Sequence, residues 1–452
     1  MINEILSMLE NKEFVKLRST LAEMNAPDIA LMFDEVPEET VLRLFRLLPK
    51  ELAADTFVEM EPDTQEHLIS AFSDKELRDV LDEMYLDDTV DIIEEMPANV
   101  VKRILRQSDS ETRSEINKIL KYPKDSAGSI MTIEYVSLKT DMTVGQAFDR
   151  IRATGVDKET IYTCYVTDSN RHLIGITTAK ELLLCDPSVK IGDMMETNVI
   201  YVDTYEDKEH VANLFDKYDF LAMPVVDKET RLVGIITVDD VIDVIQEETT
   251  EDIEKMAAIL PSEKPYLKTS VWDTFKNRVP WLMLLMLSST FTGKIISSFE
   301  ETLSVCVALT AFIPMLMGTG GNSGGQSSVT VIRALSLGDV EMKDILKILK
   351  KEFLVALLCG IVLAVVNFLK MMLIDQNTII ASGQSPMLVS IVVSLTLIVT
   401  VVSAKLVGCS LPILVKRLGF DPAVMASPFV TTIVDAISLL IYFEIAMNVL
   451  QF

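Results

Sequence analysis

Asp435 sits between Val434 and Ala436 near the middle of a hydrophobic segment, residues 424–449. A helix entering at Val424 rises roughly 16 Å by Asp435, about the middle of a bilayer. An ionised carboxylate at that depth costs on the order of 3 kcal/mol or more. It therefore needs a protein partner, a water-filled cavity or a cation. Two readings follow: Asp435 pairs with an intramembrane base such as Lys405 or takes up a proton, or it faces a cation pathway.

A second constellation follows Pro314. Gly318, Gly320, Gly321, Gly324 and Gly325 alternate there with Asn322, Gln326 and serines. So many glycines and amides argue against a regular apolar helix. Backbone released from a helix at membrane depth is tolerated where it lines a wet cavity, and its carbonyls are hard oxygen donors of the kind that bind Mg²⁺ or Ca²⁺. The alternative is a small-residue packing face of the GxxxG type. A third constellation, Asp87 and Asp91, lies four residues apart and so on one helix face. The two carboxylates are either bridged by something positive or solvated.

Charge divides the chain. Of 452 residues, 67 are acidic and 41 basic, a net charge of −26. From Leu282 onward ten acids balance ten bases, so the whole excess belongs to residues 1–281. Such a half disfavours nucleic acid and anionic lipid as partners and favours cations. The five cysteines show no CxxC spacing and read as small apolar fillers, and three scattered histidines make no metal site.

These residues must be positioned by membrane helices. Hydrophobic runs lie at about 280–299, 303–317 (continuing brokenly to 334), 353–374, 387–407 and 424–449, five spans. Lys343, Lys347, Lys350 and Lys351 lie in the 334–352 connection, and Lys416 and Arg417 in the 408–423 connection. The turns near Glu300 and at 375–385 lack bases. The residue pattern at the start has no export-signal core, which places the first ~280 residues in the cytoplasm and the C-terminus outside, in a plasma (bacterial inner) membrane.

Residues 1–125 read as short amphipathic helices punctuated by Pro27, Pro37, Pro49, Pro62 and Pro97, with a weak repeat between the segments starting at Leu21 and Leu81. Residues 126–247 contain a clearer repeat, about 131–187 and 194–247. Each copy has a helix, an apolar strand, a polar turn, a second strand and another helix. The pair resembles tandem cystathionine-β-synthase (CBS) domains, regulatory modules that often bind adenosyl ligands. Their Gly-x-x-Thr-x-x-Asp signature stands as Gly234, Thr237 and Asp240, which implies ATP or another adenosyl nucleotide at Thr237 and Asp240; the first copy has Glu181 at the acidic position.

An acidic helical domain (1–125), a CBS pair (126–247), a connecting or plug helix (248–279) and a five-helix membrane domain (280–452), with the glycine run after Pro314 and the Asp421–Pro422…Pro428…Asp435 run, together resemble the MgtE family of magnesium channels. The resemblance covers essentially the whole chain. It implies a homodimeric, Mg²⁺-selective pore in the lipid bilayer, lined by the second and fifth spans through Pro314, Gly318, Gly321, Asn322, Gly325, Gln326 and Ser427, with Asp435 holding a hydrated Mg²⁺. The chain has Ser427 where family members carry Asn. It further implies closure by intracellular Mg²⁺ bound through Asp55, Asp87, Asp91, Asp207, Glu209, Asp219, Asp240, Asp243, Glu248, Glu251 and Asp252. Carboxylates on separate bodies repel when bare and are bridged by a dication, which supplies the differential affinity a switch requires. One carboxylate with retained water suits Mg²⁺. A proton-coupled divalent-cation transporter also fits the midplane acid. A non-transporting Mg²⁺ or nucleotide receptor leaves Asn322, Gln326 and Asp435 unexplained. No hydrolase or kinase signature is present.

Overall fold

The computed structural model describes residues 2–262, 266–267, 269–425 and 427–450; the side chains of Asp157, Thr302, Val305, Met425 and Ser427 also lie outside the described set. The chain forms two units, Met1–Ile245 and Gln246–Phe452.

The first unit opens with ten short helices, from Ile2–Glu10 to Ser110–Ile119. Proline sets their starts: Pro37, Pro49 and Pro97 are N-caps, and Pro27 and Pro62 occupy the first turn, where a missing N–H costs nothing. Helices of 8–10 residues are too short to persist alone. They are held by one apolar core running from Ile5 through Phe33, Phe57 and Ile104 to Ile119. The expected repeat appears as the matching helices Ala26–Asp34 and Leu86–Glu95, each ending just before a proline.

Two three-stranded sheets follow, β1 (Tyr135–Leu138), β2 (Thr160–Thr167) and β3 (Leu173–Thr178), then β4 (Val202–Asp203), β5 (Ala222–Val226) and β6 (Leu232–Thr237). In both, the first pair is parallel and the second antiparallel, with Val166 opposite Gly175 and Val225 opposite Gly234. The repeats exchange backbone bonds: Leu173 N donates to Thr230 O, and Leu232 N to Arg171 O. Tyr165, Ala222, Leu232 and Ile235 bury the seam between them. The expected pair of modules is observed, with helices Val144–Thr154 and Lys208–Tyr218 at the expected positions.

The second unit holds five long helices: Val271–Ser298, Ile313–Ser336, Ile345–Lys370, Pro386–Arg417 and Ser427–Leu450, called first to fifth below. Four segments among the described residues are long and apolar enough to cross a membrane; the second helix, 24 residues, has the length without the apolarity.

Several expectations are corrected. The second span is not broken at its glycines. Ile313–Ser336 is one continuous helix, and the irregular chain lies before it, at Cys306 and a 3₁₀ segment Val307–Phe312. Tertiary packing overrides propensity here. A methyl at Gly321 would meet the Thr431 side chain at 2.7 Å, one at Gly324 the Val430 side chain at 2.8 Å, and one at Gly408 would overlap the Gly324 carbonyl. The glycines let the second helix press its backbone against the fourth and fifth, the packing alternative. The fifth helix starts at Ser427 rather than Val424, so Asp435 lies ~12 Å along it. Glu352, expected near a connection, is inside the third helix. The connecting helix does not begin at 248. It runs as Val238–Met256, continuous with the second repeat, and the next helix starts at Val271, ahead of Pro280.

Gly408→Ala should cost about 1–3 kcal/mol through overpacking. A lower unfolding temperature in detergent than wild type checks it. Gly293→Ala, with no atom within 4 Å of the added methyl, is the control.

Candidate functional site

In the first unit, carboxylates from three parts of the chain meet. Asp87 lies in the first turn of Leu86–Glu95, where the helix dipole favours a negative charge. Glu134 precedes β1 and Glu159 precedes β2; Glu159 N donates to Glu134 O at 3.0 Å, which sets the two side by side. One carboxylate oxygen from each of Asp87, Glu134 and Glu159 lies within 4.8 Å of the others, a grouping that can hold a metal ion. Asp87 is only 7% exposed, and Glu159 Oε2 is buried with no hydrogen-bond partner among the described residues.

Burial and like charge hold the carboxyls of this region above the usual carboxylate range. Burial, then Asp88 and Glu134, pushes Asp87 up to about 7. Burial, then Asp240, raises Asp88 to about 7 and Asp91 to about 8. Glu159 rises to about 8 through burial and then Asp87. Asp240 rises to about 7 through burial and Asp87, although it accepts a 2.7 Å hydrogen bond from Thr237 Oγ1. Asp55, exposed on the same array, is held above its usual range by partial desolvation and Glu51. Desolvation and like charge both disfavour ionisation; protons or a divalent cation relieve them.

Asp55, Asp87, Asp91 and Asp240 are thus placed in or beside one acidic region. Asp207 and Glu209 are not at the same place as Asp219. Asp207 caps Lys208–Tyr218 by accepting from Glu209 N, and Asp219 closes the far end with φ 55°. About 18 Å of helix separates them, so one ion cannot serve both. Asp243 lies one turn beyond Asp240 on Val238–Met256. Glu134, Glu159 and Asp88 are the residues that sequence reasoning missed. Glu134 and Glu159 carry no spacing signal, whereas Asp88 adjoins Asp87.

In the second unit, the end of Val238–Met256 packs Met256 against Ile332 and Ala423. Lys255 Nζ bonds Asp421 Oδ2 at 2.7 Å and also pairs with Glu251. Ser336 Oγ lies 3.4 Å from Asp252 Oδ2, and burial followed by Asp421 raises the Asp252 carboxyl. Glu251 and Asp252 therefore meet the end of the second helix and the turn before the fifth. Glu248 lies on the same helix, one turn before Glu251 and Asp252. Asp421 was a motif residue only and joins this group.

Asp435 Oδ1 is buried with no hydrogen-bond partner among the described residues. The proposed partner Lys405 is engaged elsewhere: its Nζ is 3.7 Å from Glu352 Oε2. Thr431, one turn before Asp435, touches Gly321, so the Asp435 stripe borders the second helix. The expected lining of that helix splits into two faces. Gly321 and Gly325 are buried against neighbours, whereas Pro314, Gly318, Asn322 and Gln326, at intervals of four, form an exposed stripe. The Ser427 side chain lies outside the described residues.

Comparison with known proteins bears on the whole chain. The model of a divalent cation transporter family, MgtE, matches residues 313–445, that of the MgtE intracellular N domain 24–125, and that of the CBS domain 127–186 and 191–247. The chain is 37% identical over 439 residues to the magnesium transporter MgtE of Thermus thermophilus, spanning 96% of this chain and 95% of that protein. It is 34% identical over 446 residues to the magnesium transporter MgtE of Bacillus subtilis, spanning 99% and 96%. A crystal structure of the cytosolic domain of the Mg²⁺ channel MgtE in complex with ATP superposes with TM-score 0.52 and 35% identity, over 54% of this chain and all of that one. A crystal structure of the soluble part of a magnesium transporter gives TM-score 0.52 and 32% identity, over 55% and 97%.

Proposed function

The chain belongs to the MgtE family of divalent cation transporters, and from that premise we propose that it conducts Mg²⁺ through a multi-pass membrane pore that cytoplasmic Mg²⁺ closes. The observation that carries the reading is Asp435: a buried carboxylate oxygen without a hydrogen-bond partner among the described residues, beside the glycine-rich helix, in a chain whose relatives are named magnesium transporters. Such a group is unstable in hydrocarbon and is stabilised by a hydrated cation. The lysines of the 334–352 and 408–423 connections support an orientation with the acidic unit inside and the C-terminus outside the bacterial inner membrane.

The exposed stripe of Asn322 and Gln326 supports a homodimer. Amide side chains facing acyl chains are disfavoured, and a second copy related by two-fold symmetry would convert the stripe into a wet pore wall. Mass measurement in detergent tests this; a monomer that conducts after reconstitution refutes it. Unitary Mg²⁺ currents that follow the electrochemical gradient with no proton gradient separate this channel from a proton-coupled carrier.

Closure is ascribed to two sets of acids. Mg²⁺ at Asp87, Glu134 and Glu159 would tie the helical array to the first CBS repeat, with Asp91 and Asp240 adding field. Glu248, Glu251 and Asp252, with Asp421, would hold the connecting helix against the second and fifth helices. Neutralising Glu248, Glu251 and Asp252 together should shift the Mg²⁺ inhibition curve to higher concentration, by roughly tenfold for each ~1.4 kcal/mol of lost bridging. The measurement is open probability against cytoplasmic-side Mg²⁺ at constant ionic strength; an unchanged curve would refute the role of this helix. ATP, seen in the relative's cytosolic domain, would act at Thr237 and Asp240, where it would share Asp240 with the acidic region.

A further inference from the structure

Between the second and third helices lies a groove of about 490 Å³ lined by Thr319, Asn322, Ser323 and Gln326 on one side and by Leu358, Cys359, Val362 and Leu363 on the other, with Lys405 of the fourth helix also in its lining. Lys405 is 6% exposed and Glu352 is 9% exposed. Ser327 Oγ donates to Glu352 Oε2 at 2.7 Å, while the Lys405 ammonium stands 3.7 Å from the same oxygen, too far for a hydrogen bond. A buried carboxylate of the third helix therefore lies beside Lys405, which lines the groove that Asn322 and Gln326 share, and its charge is balanced by that loosely held ammonium.

We propose that Glu352 is a latent cation site which Lys405, acting as a tethered cation, keeps filled. The proposal rests on the transport reading for its consequence: transported Mg²⁺ meets one ionised carboxylate, Asp435, and is not captured at a second. The physical case has three parts. A buried Lys–Glu pair adds little net stability compared with apolar residues of the same volume, so packing alone gives no reason for two charges here. Lys405 lines the groove that Asn322 and Gln326 share, so its charge is felt there with little screening. Finally, Glu352 is turned toward the second helix by Ser327. Without Lys405, that leaves a hard carboxylate oxygen beside the Ser327 hydroxyl, a pair that suits a partly hydrated Mg²⁺.

The test uses the full chain in liposomes with Cys185→Ser, so that Cys359 in the groove is the exposed thiol, the other three cysteines being buried. In Lys405→Met, Mg²⁺ flux should fall by about tenfold or more, because a tightly held ion leaves slowly, and Mg²⁺ should slow N-ethylmaleimide modification of Cys359. Lys405→Arg should behave as wild type. Lys405→Met with Glu352→Gln should regain flux and lose the Mg²⁺ protection. Flux rescue alone would also follow from repairing an unpaired buried charge; Mg²⁺ protection of Cys359 in the single variant would not. Wild-type flux in Lys405→Met, absence of Mg²⁺ protection there, or persistence of protection in the double variant overturns the proposal. If Lys405→Met fails to fold, the unsubstituted pair decides it: Mg²⁺ should leave Cys359 reactivity unchanged, and protection there overturns the proposal. The thiol readout needs no flux, so it stands apart from failure of the transport reading, which Asp435 variants report.

Discussion

Asp435→Ala should abolish or greatly reduce Mg²⁺ flux while leaving the protein inserted and folded. The substitution removes a charge whose burial costs on the order of 3 kcal/mol, so insertion becomes easier and lost activity cannot be ascribed to failed assembly. If the carboxylate supplies a comparable stabilisation to an ion in transit, its loss corresponds to roughly a hundredfold fall in flux. Asp435→Asn separates charge from shape, because it keeps the volume and one acceptor oxygen; it should fail nearly as badly. The measurement is Mg²⁺ uptake into dye-loaded liposomes at matched protein content. Wild-type flux and selectivity in the Ala variant would remove Asp435 from the pathway.

Replacing Asp87, Asp91 and Asp240 together by Asn should relieve Mg²⁺-dependent closure and flatten the pH dependence of stability. In the fold, Asp87 and Asp240 stand at about 7 and Asp91 at about 8, above the ordinary Asp value of 3.8. A group with a raised folded-state value binds protons more tightly when folded. Its contribution is therefore favourable at low pH, is lost as pH climbs from about 4 to about 8, and levels off above that. Without divalent ions, wild type should melt several degrees lower at about pH 8 than at about pH 5. Mg²⁺ should reverse the loss at the alkaline end, because the ion takes the place of the protons, and its apparent affinity should rise through the same interval. The Asn variant should show both effects much reduced, with Asp88 and Glu159 left as the remaining raised groups, and should stay open at Mg²⁺ concentrations that close wild type. A wild-type melting temperature that climbs with pH in the absence of Mg²⁺ would contradict this account.

Much of this was legible from local pattern. Prolines mark the starts of helices Glu38–Phe45 and Lys50–Val58 because an N-cap position tolerates the missing N–H. The duplicated strand–turn–strand pattern marks the two sheets, and the charge partition separates an acidic half from a neutral apolar one. Asp435 stands out because a carboxylate near the middle of a hydrophobic span is a conspicuous violation. These signals are carried by neighbours along the chain or by composition.

What only the tertiary structure decided are relations between residues far apart in sequence. Asp87 meets Glu134 and Glu159 because a helix of the array and two strand entries converge; nothing in the spacing of those residues encodes it. Lys405 belongs to Glu352 and not to Asp435, since the angular position of each side chain is set by how the third, fourth and fifth helices pack. The glycine run is the clearest case. By propensity it reads as a broken segment, yet Ile313–Ser336 is a regular helix, because Gly321, Gly324 and Gly408 allow backbone contacts that larger residues would forbid. Propensity describes a segment in water; close packing against the fourth and fifth helices repays what the glycines lose, and that partner surface exists only once the chain has folded.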